Sequence, residues 1–112
     1  MNPDAPNATK LELFIFDAIP LAERSMVYET DRVEEFAPIK NAEGSDSPAT
    51  SAALQFERSA RWLEQAGIAV PRGPEGAPSA RIEISSLSAL GPDDLPTEDT
   101  PSTIDPGDEF VI

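Results

Sequence analysis

Residues 34–42 read EEFAPIKNA and place a single lysine, Lys40, after a proline and a branched apolar residue. Pro38 fixes its own φ and biases the residue before it toward extended backbone, so Lys40 leaves a stiff stretch of chain. An ammonium fixed at its base in this way suits one task, setting a positive charge against a phosphate. The plainer reading is a surface lysine paired with Glu34, Glu35 or Glu43, and composition alone favours it. Asn41 has a local role open to it, bonding the backbone of the turn that follows.

The remaining inventory removes several chemistries. There is no cysteine and no histidine. Thiol nucleophiles, imidazole bases, thiolate metal sites and most zinc sites are therefore excluded, and no residue is assigned as a metal ligand. Twenty-one acidic residues against eight basic ones give a net charge of −13. Such a surface repels nucleic acid and anionic membranes, so neither is expected as a partner. The opening MNPDAPNATK lacks the basic and apolar regions of a signal peptide, and no apolar run approaches the ~20 residues of a membrane span. The default expectation is a soluble, cytoplasmic protein.

The elements that must position Lys40 follow from periodicity. With 112 residues, 39% hydrophobic content and twelve prolines, one domain with a modest core is expected. Residues 1–8 read as an extended lead-in. In 9–18, alternation places Leu11, Leu13 and Ile15 on one side, whereas helical spacing groups Leu11, Phe14, Ala18 and Leu21. A helix capped by Asn7 or Thr9 and loosened near Pro20 is the favoured reading. Residues 25–30 read as a short strand and 31–46 as a loop. Ser47-Pro48 is a helix opening, no breaker follows before Gln65, and Gly67 sits where a helix stops. Ala49, Ala52, Ala53, Phe56, Ala60 and Leu63 form its apolar stripe, with Glu57 and Arg61 an ion pair on the other side. Residues 68–70 and 80–84 read as short strands around a 71–79 loop. From Gly91 the acidic, proline-rich tail 91–112 is expected to be mostly disordered, with only Phe110, Val111 and Ile112 fit to pair with a sheet edge. The expected class is α/β: two helices, a few short strands and an acidic tail.

One stretch is more specific than any of this. FIFDAIPLAERSMVYETDRVEEFAPIKNAEGSDSPATS resembles the C-terminal part of the eukaryotic-type UTP:sugar-1-phosphate uridylyltransferases, and is most similar to the UDP-N-acetylglucosamine pyrophosphorylases. The family pattern (E/K)-x-F-(V/I)-F-D-x-x-x-x-A, then E-E-F-(S/A)-P-(L/I)-K-N-A, is met by Leu13-Phe14-Ile15-Phe16-Asp17 with Ala22, and by Glu34 to Ala42. The spacing from Phe16 to Lys40 fits as well, and residues 80–85 resemble the strand that comes later. The resemblance covers roughly residues 7–90, most of the chain.

The resemblance implies that Lys40 reaches the phosphates of a bound uridine nucleotide and that Phe14 and Phe16 lie near the sugar. For the two phenylalanines, ordinary core packing is the competing reading. Asp17 reads as a helix-surface or supporting residue rather than a metal ligand. The implied reaction is attack of a sugar 1-phosphate on the α-phosphorus of UTP with loss of pyrophosphate, usually with Mg²⁺ in the complete enzyme. The family's glycine-rich phosphate loop has no counterpart, since none of the six glycines forms a G-x-G. Its uracil pocket and magnesium aspartate would lie upstream of Met1. The expectation is an incomplete C-terminal piece of a nucleotidyltransferase-type fold, spanning 9–90, inactive alone and dependent on a separate N-terminal catalytic domain. The sugar reads as an N-acetylhexosamine rather than glucose. A non-catalytic interaction or remnant protein is the alternative, and a free-standing sugar-nucleotide binder a third.

Overall fold

The computed structural model of the protein describes residues 8, 9, 11–96, 98 and 100–112. The lead-in expected over 1–8, and the candidate cap Asn7, therefore lie almost wholly outside the described residues.

One long helix organises everything else. Helix α2, Pro48–Gln65, begins as its sequence dictates: the Ser47 hydroxyl accepts from Thr50 N at 3.4 Å, and Thr50 Oγ1 accepts from Ser47 N at 2.9 Å. Proline at the first helical position costs nothing, because its missing donor has no partner there in any helix. At the far end Gly67 takes φ +87°, Gly67 N donates to Glu64 O at 3.0 Å and Ile68 N to Leu63 O at 2.9 Å. These paired bonds form a Schellman stop, in which the left-handed residue is strained for anything but glycine. Ile68 then packs back on the core that contains Leu63.

Against α2 lies a two-stranded parallel sheet, β1 (Arg81–Glu83) and β2 (Glu109–Val111), with Arg81, Ile82 and Glu83 opposite Glu109, Phe110 and Val111. Parallel pairing demands a crossover, and residues 84–108 supply it, including a 3₁₀ turn at Pro92–Asp94 that packs on α2. Ala60, Trp62 and Leu63 of the helix meet Val70, Ala80, Ile82, Ile84, Ala89, Ile104 and Ile112 in one core.

Several expectations need correction. The tail 91–112 is not a solvated appendage: Ile104 and Ile112 are buried and β2 completes the sheet, as anticipated only for the last three residues. Its described acidic side chains stay outside, where Asp94 accepts from Leu90 N and Asp108 from Asp105 N. Composition registers those acids and prolines, while two well-spaced isoleucines decide where the chain goes. In the 9–18 stretch the described residues are irregular from Leu11 through Phe14 and then form a 3₁₀ helix, Ile15–Leu21, that contains Pro20 and packs against no other element among the described residues. Without a surface to bury its stripe, a short helix gains too little to hold α geometry. Residues 25–30 form no strand, since no partner edge reaches them, and Val27 is 99% exposed. Residues 68–70 likewise form none, although Val70 is buried. The 31–46 segment is not all loop: α1, Arg32–Glu35, is capped by the Asp31 carboxylate, which accepts from Val33 N at 2.9 Å. Finally, Ala49 and Ala53 face solvent whereas Ser51, Ser59 and Trp62 are buried, so α2 is turned relative to its expected stripe.

The 71–79 loop is tied to α2 by one residue. Arg72 donates from Nε to Glu64 at 2.9 Å and from its terminal nitrogens to Glu57 at 2.9 and 3.1 Å, and also to the Gly76 carbonyl at 2.6 Å. The Arg72 hydrogen bond is the main cause that holds the Glu64 carboxyl below its ordinary value, with burial opposing it, and the guanidinium pKa is raised in turn. A lowered carboxylate pKa stabilises the fold at neutral pH, and that contribution is lost as pH falls through the lowered value. Arg72→Ala is expected to cost about 1 kcal/mol, the upper end for partly exposed pairs. It should also flatten the acid limb of a pH series of urea midpoints. Identical acid limbs in parent and variant would contradict this.

Candidate functional site

The EEFAPIKNA block is held on α2 at both of its ends. At the first end, the Glu34 carboxylate accepts from Arg61 at 2.6 Å and from the Trp62 indole N–H at 2.9 Å. Next, the Ser51 hydroxyl donates to the Ala37 carbonyl at 2.8 Å. At the second end the chain folds into a tight loop over 40–46: Lys40 N and Asn41 N both donate to the Asp46 carbonyl, at 2.6 and 3.0 Å. The Asn41 amide donates to Ser45 O at 2.8 Å, the local backbone role expected of it. Gly44 (φ +77°) and Asp46 (φ +52°) supply the left-handed turns that bring the chain straight into the Ser47 cap.

Lys40 therefore has a fixed root and a free end. Its side chain is 65% exposed, with Nζ 3.7 Å from Asp46 Oδ2. The carboxylate partner is Asp46, not Glu34, Glu35 or Glu43; Glu34 is taken up by Arg61 and Trp62. Exposed pairs at this separation contribute at most about 1 kcal/mol, so an incoming anion displaces Asp46 cheaply.

Phe14 and Phe16 are not brought to Lys40. They are 60% and 69% exposed, on a segment that touches none of the other elements, so core packing is not realised within the described residues. Arg61, Trp62 and Ser51, which hold the block, were not legible as site residues: sequence placed Arg61 on an outer face and gave Trp62 and Ser51 no role. Among the described residues no group of three or more carboxylates converges to hold a metal ion. None of these side chains is assigned to Mg²⁺.

Burial pushes the Glu34 carboxyl up, but hydrogen bonds from Arg61 and Trp62 more than reverse this and leave it below its ordinary value. The clamp should therefore persist through mild acid and open only beneath the usual carboxylate range. The Trp62 indole proton resonance, followed by NMR in falling pH, is expected to shift there, and Glu34→Gln should abolish the shift. A resonance already moving above pH ~5 would show the clamp to be weaker than its geometry implies.

No protein-family model matches the chain, and no solved structure does. Curated proteins do match. UDP-N-acetylglucosamine pyrophosphorylase of Saccharomyces cerevisiae is 41% identical over 95 residues, which is 80% of this chain and 18% of the yeast protein. UDP-N-acetylglucosamine diphosphorylase 2 of Arabidopsis thaliana is 47% identical over 92 residues, 77% of this chain and 17% of its own length. UDP-N-acetylhexosamine pyrophosphorylase-like protein 1 of Homo sapiens is 35% identical over 103 residues, covering 78% and 20%. The chain matches a C-terminal piece of the UDP-N-acetylglucosamine pyrophosphorylases. It spans about a fifth of the length of these curated relatives. In this pyrophosphorylase-like piece, the described residues carry one structured lysine loop and its clamp on α2. No helix among them is long and apolar enough to cross a membrane.

Proposed function

We propose that the chain is part of a uridylyltransferase that joins UTP and a sugar 1-phosphate, N-acetylglucosamine 1-phosphate by preference, to give a UDP-sugar and pyrophosphate. The observation that carries the proposal is the likeness to relatives bearing that name over about four-fifths of the chain. In the reaction a phosphate oxygen of the sugar 1-phosphate bonds to the α-phosphorus of UTP, and the bond to the β-phosphate bridging oxygen breaks. Charge concentrates on the phosphoryl oxygens, so positioned cations serve this chemistry better than proton-transfer groups. Lys40 is the cation we assign to the nucleotide phosphates, with its clamped root limiting the motion lost on binding. Phe14 and Phe16 are assigned to the sugar side, brought there by contact with the remainder of the enzyme. Mg²⁺ supplies further charge neutralisation in that enzyme.

The fold reading is a C-terminal piece of a nucleotidyltransferase-type domain, with the nucleotide loop furnished by a separate N-terminal catalytic part. The exposed apolar run that includes Leu11, Leu13, Ile15, Met26, Val27 and Tyr28 supports this, because a solitary domain seldom leaves such a stretch uncovered. The test is a chimera in which residues 8–112 replace the matching segment of the yeast relative. Pyrophosphate release from UTP and N-acetylglucosamine 1-phosphate is expected. A folded chimera without release overturns the proposal and leaves a non-catalytic interaction protein as the reading.

A further inference from the structure

Between α2 and the C-terminal end of β1 runs a groove of about 530 Å³, whose walls belong to α2 and β1 with the residues that follow it and not to the 40–46 loop. Its size lies within the range of small-molecule sites. Phe56, Ile82 and Ile84 give it an apolar wall, and Arg58 and Ser59 bring polar groups to it.

Among the described residues Arg58 has no carboxylate partner. Arg61, Arg72 and Arg81 each hold a carboxylate, but Arg58 holds none; its guanidinium stacks over the Trp62 ring at 4.9 Å, and its Nε is buried without a hydrogen bond. Ser59 is 2% exposed and lines the groove beside Arg58. A buried donor left unmade costs about 1–3 kcal/mol, which a chain with 21 carboxylates had ample means to avoid. Charged hydrogen bonds to an arginine fork are strongest with a planar, bidentate anion.

We propose that this groove binds a small carboxylate with an apolar body, the carboxylate meeting Arg58 and Ser59 and the body lying on Phe56, Ile82 and Ile84. A monoanion is favoured over a phosphate ester because Glu83 borders the groove and the chain carries −13, and Coulomb repulsion scales with ligand charge. Binding turns the Arg58 guanidinium from the indole face toward the ligand, so Trp62, the chain's single tryptophan, reports it. The inference does not rest on the uridylyltransferase reading: the groove's lining excludes Lys40 and its loop, and only Trp62, under Arg58, is shared with the Glu34 clamp.

The test titrates the full chain with benzoate, with benzamide and inorganic phosphate as comparisons, following Trp62 emission and backbone amide shifts. Benzoate is expected to give a saturable emission change and to move the amides of Ser59, Ile84, Ser85 and Ser86. Its affinity should fall at least tenfold in Arg58→Gln and severalfold in Ser59→Ala. If Arg58→Gln fails to fold, the amide map of the parent chain with the Ser59→Ala titration decides. No saturable change, shifts mapping elsewhere, or equal affinity for benzamide overturns the proposal, and tighter binding of phosphate than of benzoate overturns its carboxylate class.

Discussion

Lys40→Ala, placed in the chimera with the yeast relative, is expected to lower kcat/KM for UDP-sugar formation by about 100-fold, the scale of removing one charged group from a phosphoryl or oxyanion site. The unfolding midpoint should not move, because the side chain is mostly exposed and its pair with Asp46 is long at 3.7 Å. Lys40→Arg should recover part of the loss: the charge remains, but the planar fork does not match a point contact made from a fixed root. The clamp makes a further distinction possible. Glu34→Ala leaves Lys40 intact and frees the start of its block from Arg61 and Trp62. It should therefore cost less activity than Lys40→Ala and show the loss mainly in KM, as expected when positioning rather than charge is lost. Equal activity of Lys40→Ala and its parent would remove Lys40 from the chemistry.

The largest expected effect on stability is that of Leu63→Ala. Leu63 is fully buried and sits where three things meet: the core face of α2, the Schellman stop through its carbonyl, and the packing of Ile68. Truncating such a leucine costs about 2–5 kcal/mol from lost transfer energy and the cavity left behind. In a domain whose total is of order 5–15 kcal/mol, that is a large share, and at about 4–8 °C per kcal/mol the melting midpoint should fall by more than ~8 °C. Leu54→Ala on the same helix, at a position 44% exposed, should change it by less than about 0.5 kcal/mol. Calorimetry of the two variants tests whether the α2–β1 contact is the core. Similar falls in both would contradict the arrangement.

How far the sequence foretold this structure depends on whether the deciding interactions were local. Helix α2 was legible from Ser47-Pro48 to Gly67 because caps and stops are local chemistry, and the Ser47–Thr50 and Gly67–Glu64 bonds realise it. The β1 strand was legible from its alternation. The turn of α2 was not, because it is set by the Ser51 bond to Ala37 and by Glu34 reaching Arg61 and Trp62, contacts spanning 14 to 28 residues that leave no periodic trace. The tail misled for the opposite reason. Its acids and prolines dominate any composition window, yet Ile104 and Ile112 hold it in the core. The apolar pattern of 11–28 suggested elements that need a covering surface, and here that pattern remains exposed. At the site, the rigidity of the Lys40 root and the backbone role of Asn41 were readable from Pro38 and the turn residues. The partner of Lys40 was not, since four carboxylates lay within reach and only the loop's closure through Asp46 selects among them.

The central claim is that Lys40 meets a nucleotide phosphate. A crystal structure of the chimera bound to a UDP-sugar tests it most directly, through the distance from Lys40 Nζ to the nearest phosphate oxygen. The account predicts hydrogen-bond range, about 2.7–3.2 Å, with the Asp46 pair given up or shared. Lys40 still on Asp46, with every phosphate oxygen beyond the ~4 Å limit of an ion pair, would contradict it.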